Sequence, residues 1–147
     1  MSGLSFGIGL AHKKTVPDRI LIVEDDAVLR KHLGRLFARE GYEVTTAASR
    51  ADARIKLDRT SFEVLLLDVM LPDGDGLELL ADVSVRQRPP QIVVMTAFAT
   101  PEGELRARSL NVCRVLPKPL DLMELLRAVR RRTPQFECVL RFCGDTY

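Results

Sequence analysis

Five short apolar segments, rich in β-branched residues, alternate along the chain with longer stretches whose apolar positions recur at helical spacing. Arg19–Val23 predicts a first strand, and 26–40 a helix with apolar Val28, Leu29, Leu33, Leu36 and Phe37, stopped by Gly41. A short strand follows at 43–46, then a helix to about Leu57 opened by Ser49 with Asp52 in capping-box spacing. The run Glu63-Val64-Leu65-Leu66-Leu67-Asp68 is apolar almost throughout, the pattern of a third strand buried on both faces of a parallel sheet. Asp75 with Glu78 opens a helix to about Arg86, and the Pro89-Pro90 pair leads into a fourth strand at 91–95. Thr100 and Pro101 supply an N-cap and a first-turn proline for a helix ending near Leu110. The fifth strand is 112–116, and Asp121 with Glu124 caps a last helix to about Arg132. This β-α alternation with short connections predicts an α/β fold with a doubly wound parallel sheet and right-handed crossovers. Residues 1–18 and 133–147 lie outside the pattern and read as extensions of one unit at 19–132.

In open α/β sheets, ligands bind just beyond the carboxyl ends of the strands. The first strand runs into Glu24-Asp25-Asp26, the third ends at Asp68, the fourth at Thr96, and the fifth leads into Lys118. Such a rim gathers carboxylates, one hydroxyl and one ammonium. Taken singly, Asp68 reads equally well as a turn residue that satisfies a backbone donor or caps a helix. As a group, the carboxylates repel one another and attract a hard divalent cation. Magnesium keeps several waters, so one or two carboxylates plus a backbone carbonyl suffice to hold it. In that setting Asp68 suits a nucleophile that takes phosphate as an acyl phosphate. Lys118 would hold the phosphoryl oxygens as a point charge, and Thr96 would donate a hydrogen bond to them.

Composition narrows the partners. With 147 residues, 46% of them hydrophobic, the chain fits one packed domain rather than a disordered segment. A net charge of +2 is small, and Arg127, Arg130, Arg131 and Arg132 bunch where a helix ends, where cations complement the macrodipole. No recognition motif accompanies them, so direct nucleic-acid binding is not expected. Cys113, placed in the fifth strand, and Cys138 and Cys143 show neither metal-ligand spacing nor a disulfide framework. His12 and His32 read as surface residues. The apolar 1–10 stretch precedes Lys13 and Lys14, the wrong order for a secretory signal, and no run is long enough for a bilayer. A cytoplasmic protein without membrane contact is the expectation.

The pieces Ile20-Leu21-Ile22-Val23-Glu24-Asp25-Asp26, Leu67-Asp68-Val69-Met70-Leu71-Pro72-Asp73-Gly74, Thr96-Ala97 and Lys118-Pro119 stand in order on successive strand ends. In these pieces and their spacing the chain resembles the CheY-like receiver domains of two-component response regulators, from about Arg19 to Arg132. The resemblance implies a five-stranded flavodoxin-like (βα)5 sheet in the order 2-1-3-4-5. It implies Asp68 as phosphoacceptor and Mg2+ as cofactor. Asp25 would bind the ion directly, Glu24 through water or by positioning it, and Asp68 and the Met70 backbone carbonyl would complete the protein ligands. Asp26 fits better as the cap of the first helix. The donor would be a histidine on a sensor histidine kinase or a histidine phosphotransfer protein. The Lys118–Pro119 bond is a candidate cis peptide. The chain would be a phosphoacceptor signalling domain, not an enzyme beyond its own phosphorylation and dephosphorylation.

Departures from the family pattern bear on readout. Many receivers carry Tyr or Phe three residues before the lysine, whose rotamer couples phosphorylation to the output face; here that place is Val115. A β-branched side chain cannot swing a ring between buried and exposed positions. The switch is left with Thr96 and the loop before the fourth helix. The expected output face is the fourth helix, fifth strand and fifth helix, with Leu105, Arg106, Arg114, Met123 and Arg127 as its exposed residues. Met70 and Phe98, two residues after Asp68 and Thr96, would shield the phosphoryl group from water and slow its loss, or else merely pack under a loop. A downstream protein partner is expected, and a homodimer through the output face fits too. The alternative is the N-terminal receiver of a longer DNA-binding regulator, with Phe136, Val139, Leu140 and Phe142 starting the next part or packing back on the domain. Haloacid-dehalogenase-like phosphatases share the aspartate, magnesium and lysine, but they need an acid where Met70 stands. A calcium loop fails because Leu77 replaces its third oxygen ligand.

Overall fold

The computed structural model describes residues 16–130, so Cys138, Cys143, His12 and the apolar positions after Thr133 lie outside the described residues. We number the strands of the main sheet β1 Arg19–Val23, β2 Glu43–Ala47, β3 Val64–Asp68, β4 Gln91–Thr96 and β5 Arg114–Pro117. All neighbours pair in parallel in the order β2-β1-β3-β4-β5, as the resemblance implied. The helices are α1 Ala27–Arg39, α2 Arg50–Arg59, a 3-10 turn Gly76–Leu79 leading into the short α3 Leu80–Val83, α4 Pro101–Ser109 and α5 Leu122–Arg130.

Strand periodicity divides the core in two. Ile20, Ile22, Val64, Leu66, Val93 and Met95 face α1 and α5, packing with Leu33, Phe37, Leu125 and Val129. Their alternate neighbours Leu21, Val23, Leu65, Leu67, Ile92 and Val94 face the other side, with Ala53, Leu57, Leu80 and Ala107. Every residue of β3 is buried, because it is the central strand with helices on both faces.

The predicted caps act where expected. Asp26 accepts from the Val28 and Leu29 N–H groups, Ser49 from Asp52, Asp75 from Leu77 and Thr100 from Gly103. Gly41 ends α1 at φ 93°, a conformation that favours glycine.

Three expectations need correction. The helix expected from Asp75 to Arg86 is a 3-10 turn and four helical residues, ending where Val83, Ser84 and Val85 offer poor helix propensity. The fifth strand begins at Arg114 rather than 112: Asn111 takes φ 61°, and the Val112 N–H donates to the Ala107 carbonyl at 3.2 Å to close α4. Cys113 is therefore buried just before the strand, not in it. A two-stranded antiparallel hairpin, Met70–Leu71 with Gly74–Asp75, follows Asp68 and was not anticipated.

Candidate functional site

The sheet brings the predicted residues to one rim. The Glu24 N–H still donates to the Ala47 carbonyl at 3.0 Å, so the chain leaves the sheet only after Glu24, whose side chain lies fully buried. Asp68 ends the central strand, buried, opposite Met95 of β4. The Lys118 N–H donates to the Thr96 carbonyl at 2.8 Å, and its peptide bond to Pro119 is cis.

Lys118 is the electrostatic centre. Its Nζ donates to Glu24 Oε1 at 2.7 Å and to Asp68 Oδ2 at 3.1 Å. The other oxygens of those carboxylates accept backbone N–H groups, Glu24 from Asp26 at 3.1 Å and Asp68 from Met70 at 3.2 Å. Burial pushes the Glu24 carboxyl up to about 7, against the opposing pull of its Lys118 and Asp26 hydrogen bonds. Burial also pulls the Lys118 ammonium down, but its bonds to Glu24 and Asp68 outweigh that, and its pKa stands above the ordinary lysine value. The pocket thus sets three carboxylates, Glu24, Asp25 and Asp68, against the single Lys118 ammonium.

The donor set fits magnesium. Glu24, Asp25 and Asp68 each offer a carboxylate oxygen, and these oxygens lie within 4.8 Å of one another, with Asp25 exposed to solvent. Hard oxygen donors with an open side suit an ion that keeps part of its water shell.

Thr96 is in place but otherwise engaged. Its buried hydroxyl donates to the Phe98 carbonyl at 3.0 Å and accepts from the Phe98 N–H at 3.1 Å. Phe98 and Met70 are 71% and 57% exposed at the rim, so neither packs under a loop. Val115 is half-buried against the core. Leu105, Arg106, Met123 and Arg127 are exposed as expected, but Arg114 is half-buried, because its guanidinium pairs with Glu124 of α5 at 3.1 Å. His32 is exposed.

Other residues support the site through contacts that the sequence does not show. The Arg30 guanidinium donates to the Glu24 carbonyl at 2.8 Å and the Asp25 carbonyl at 3.1 Å, fixing the acidic turn. Gly76 donates its N–H to the Val69 carbonyl at 2.6 Å, and a Cβ there would overlap the Asp68 backbone carbonyl. Asp73 accepts from the Arg50 and Ala51 N–H groups at 2.8 and 2.9 Å, tying the hairpin to the start of α2. Those two bonds hold its carboxyl below the usual aspartate range. Asp75 pairs with Arg106 of α4.

A lysine-bridged acidic pocket at the carboxyl edge of a five-stranded doubly wound sheet places the chain among flavodoxin-like α/β domains, and comparison with known proteins gives the family. The response regulator receiver domain profile matches residues 20–130, so the chain belongs to that family. The chain is 29% identical over 131 residues to the transcriptional regulatory protein PdtaR of Mycobacterium tuberculosis, covering 88% of this chain and 63% of that protein. It is 34% identical over 122 residues to protein PetR of Rhodobacter capsulatus, covering 81% and 51%. A CheY-like receiver domain structure from Methanospirillum hungatei superposes with a TM-score of 0.75 at 25% identity, covering 88% and 99%. The chain thus spans less than two thirds of these two curated relatives.

Proposed function

We propose that this receiver accepts a phosphoryl group on Asp68 from a phosphohistidine of a sensor kinase or phosphotransfer protein. An Asp68 carboxylate oxygen attacks phosphorus, the P–N bond breaks, and the electron pair returns to the donor imidazole. Glu24, Asp25, Asp68 and the Met70 backbone carbonyl would hold Mg2+, which neutralises charge developing on the phosphoryl oxygens. Lys118 would turn from the carboxylates to those oxygens, and Thr96 would bring its hydroxyl to them. The observation that carries this reading is the Lys118 ammonium bridging buried Glu24 and Asp68 beside the open Asp25 carboxylate.

The output would be a shift in the face formed by α4, β5 and α5, read by a partner protein, in a cytoplasmic receiver unit at 19–132 flanked by extensions. The second reading, a receiver that precedes a DNA-binding part, draws support from relatives that include a transcriptional regulatory protein of which this chain spans 63%. In-frame coding sequence beyond Tyr147 would favour it.

Incubation with acetyl phosphate and magnesium, followed by intact-mass measurement, tests the acceptor. Wild type is expected to gain one phosphoryl group and Asp68→Ala none. Equal labelling of both removes Asp68 from the role. Sustained turnover of a phosphomonoester, instead of a stoichiometric label, would revive the phosphatase alternative.

A further inference from the structure

We propose that Phe98 is the moving aromatic of this switch: on phosphorylation its ring leaves the rim and enters the cavity beneath α4 that Val115 leaves unfilled. The proposal rests on the phosphoacceptor reading above and adds the step by which the label is read.

The cavity measures about 280 Å³ and lies between α4 and the sheet. Val69, Leu77, Val94, Ala107 and Val115 supply its apolar lining, Asp75, Glu102, Glu104 and Arg106 its charged lining, and Thr96 and Phe98 border it as well. An apolar cavity of about 150 Å³ already accepts a benzene ring. The space is therefore ample for a phenyl group, and a ring that is 71% exposed sits beside it.

Two hydrogen bonds clasp the Phe98 backbone to the Thr96 hydroxyl and fix the short loop that carries the ring. A hydroxyl has one hydrogen to give. If Thr96 moves toward Asp68 and donates it to a phosphoryl oxygen there, the Phe98 carbonyl loses its donor, the Phe98 N–H loses its acceptor, and the clasp opens. Only Ala97, Phe98 and Ala99 separate Thr96 from Thr100, the N-cap of α4, so the freed segment is short and otherwise bears only methyl side chains. The nearest apolar shelter for the ring is the cavity. Once there, the ring presses on Ala107, and movement of α4 carries Leu105 and Arg106 with it.

The position of the aromatic is thus exchanged between elements. A ring on the loop after β4 does from one side what a ring at position 115 would do from the other. The same step removes Phe98 from the neighbourhood of the phosphoryl group, which narrows the shielding role to Met70.

The chain contains no tryptophan, so Phe98→Trp introduces a single emitter. Magnesium and beryllofluoride should shift its emission to the blue and lower acrylamide quenching several-fold. Binding of beryllofluoride is followed separately by its 19F resonance. Adding Thr96→Val to the Phe98→Trp variant should bury the indole without beryllofluoride, since the clasp is gone. Adding Val115→Phe instead should occupy the cavity and abolish the shift while the 19F signal persists. A 19F signal with an unchanged, solvent-exposed indole overturns the proposal and leaves the phosphoacceptor intact. Absence of the 19F signal in wild type sinks both.

Discussion

The ends of β1, β3 and β5 differ sharply from the end of β4. Around Asp68 the structure is tied at many points. Lys118 bridges two carboxylates, Arg30 holds the acidic turn, Gly76 packs against the Asp68 carbonyl, and Asp73 anchors the hairpin to α2. After β4 the Phe98 backbone is held by the Thr96 hydroxyl, and its bulky ring stands largely in solvent beside a cavity with a mixed apolar and charged lining. The first arrangement suits chemistry, which gains from charges fixed before the reaction starts. The second suits signalling, which needs an element whose two arrangements differ little in free energy. One rim therefore carries both a rigid half and a loose half, and substitutions should sort accordingly.

The largest effect is expected in the rigid half. Lys118→Ala leaves buried Glu24 and Asp68 facing each other without a countercharge, and loss of one partner from a buried pair costs about 3 kcal/mol. Urea melts in EDTA should show that loss, and magnesium should recover part of it by binding the folded state. An unchanged midpoint would mean the carboxylates are not coupled through Lys118. Gly76→Ala comes next, at about 2 kcal/mol, because the new methyl group forces the hairpin away from Asp68. Phosphorylation by acetyl phosphate should slow with it, whereas the same substitution at exposed Gly41 should leave labelling intact.

Smaller effects sharpen the boundary between the halves. Met70→Asn should shorten the lifetime of the phosphorylated form several-fold, and Phe98→Ala should leave it nearly unchanged; equal effects would mean that both side chains shield the label and that Phe98 stays at the rim. Asp73→Ala should lower the melting temperature slightly, with a diagnostic pH dependence. Its carboxyl titrates below the ordinary 3.8 in the folded chain, so its stabilisation is complete above that value and fades as the pH falls through the folded pKa. Wild type and variant should therefore melt apart at about pH 6 and converge in acid. A gap that persists there would remove the charged cap as its cause.

The alternation of buried runs and helical spacing made the main sheet readable, since Leu65-Leu66-Leu67 must be covered on both faces and each N-cap announces its helix. The strand ends then fixed where Glu24, Asp68, Thr96 and Lys118 could meet. What stayed hidden depends on contacts between distant segments. The hairpin at Met70–Leu71 and Gly74–Asp75 has strands too short to leave an alternating pattern. Arg114 reads as an exposed cation until α5 places Glu124 beside it. Gly76 looks like an ordinary turn residue, and only the approach of its backbone to Asp68 shows why a side chain is not tolerated.

On the proposed function, the ion pair between Asp75 and Arg106 would make the traffic two-way. It tethers the hairpin behind Asp68 to α4, so a protein gripping that helix would pull on the support of the proposed acceptor. Linkage requires such effects to be mutual. A listener that favours the labelled form must, by the same amount, make labelling easier.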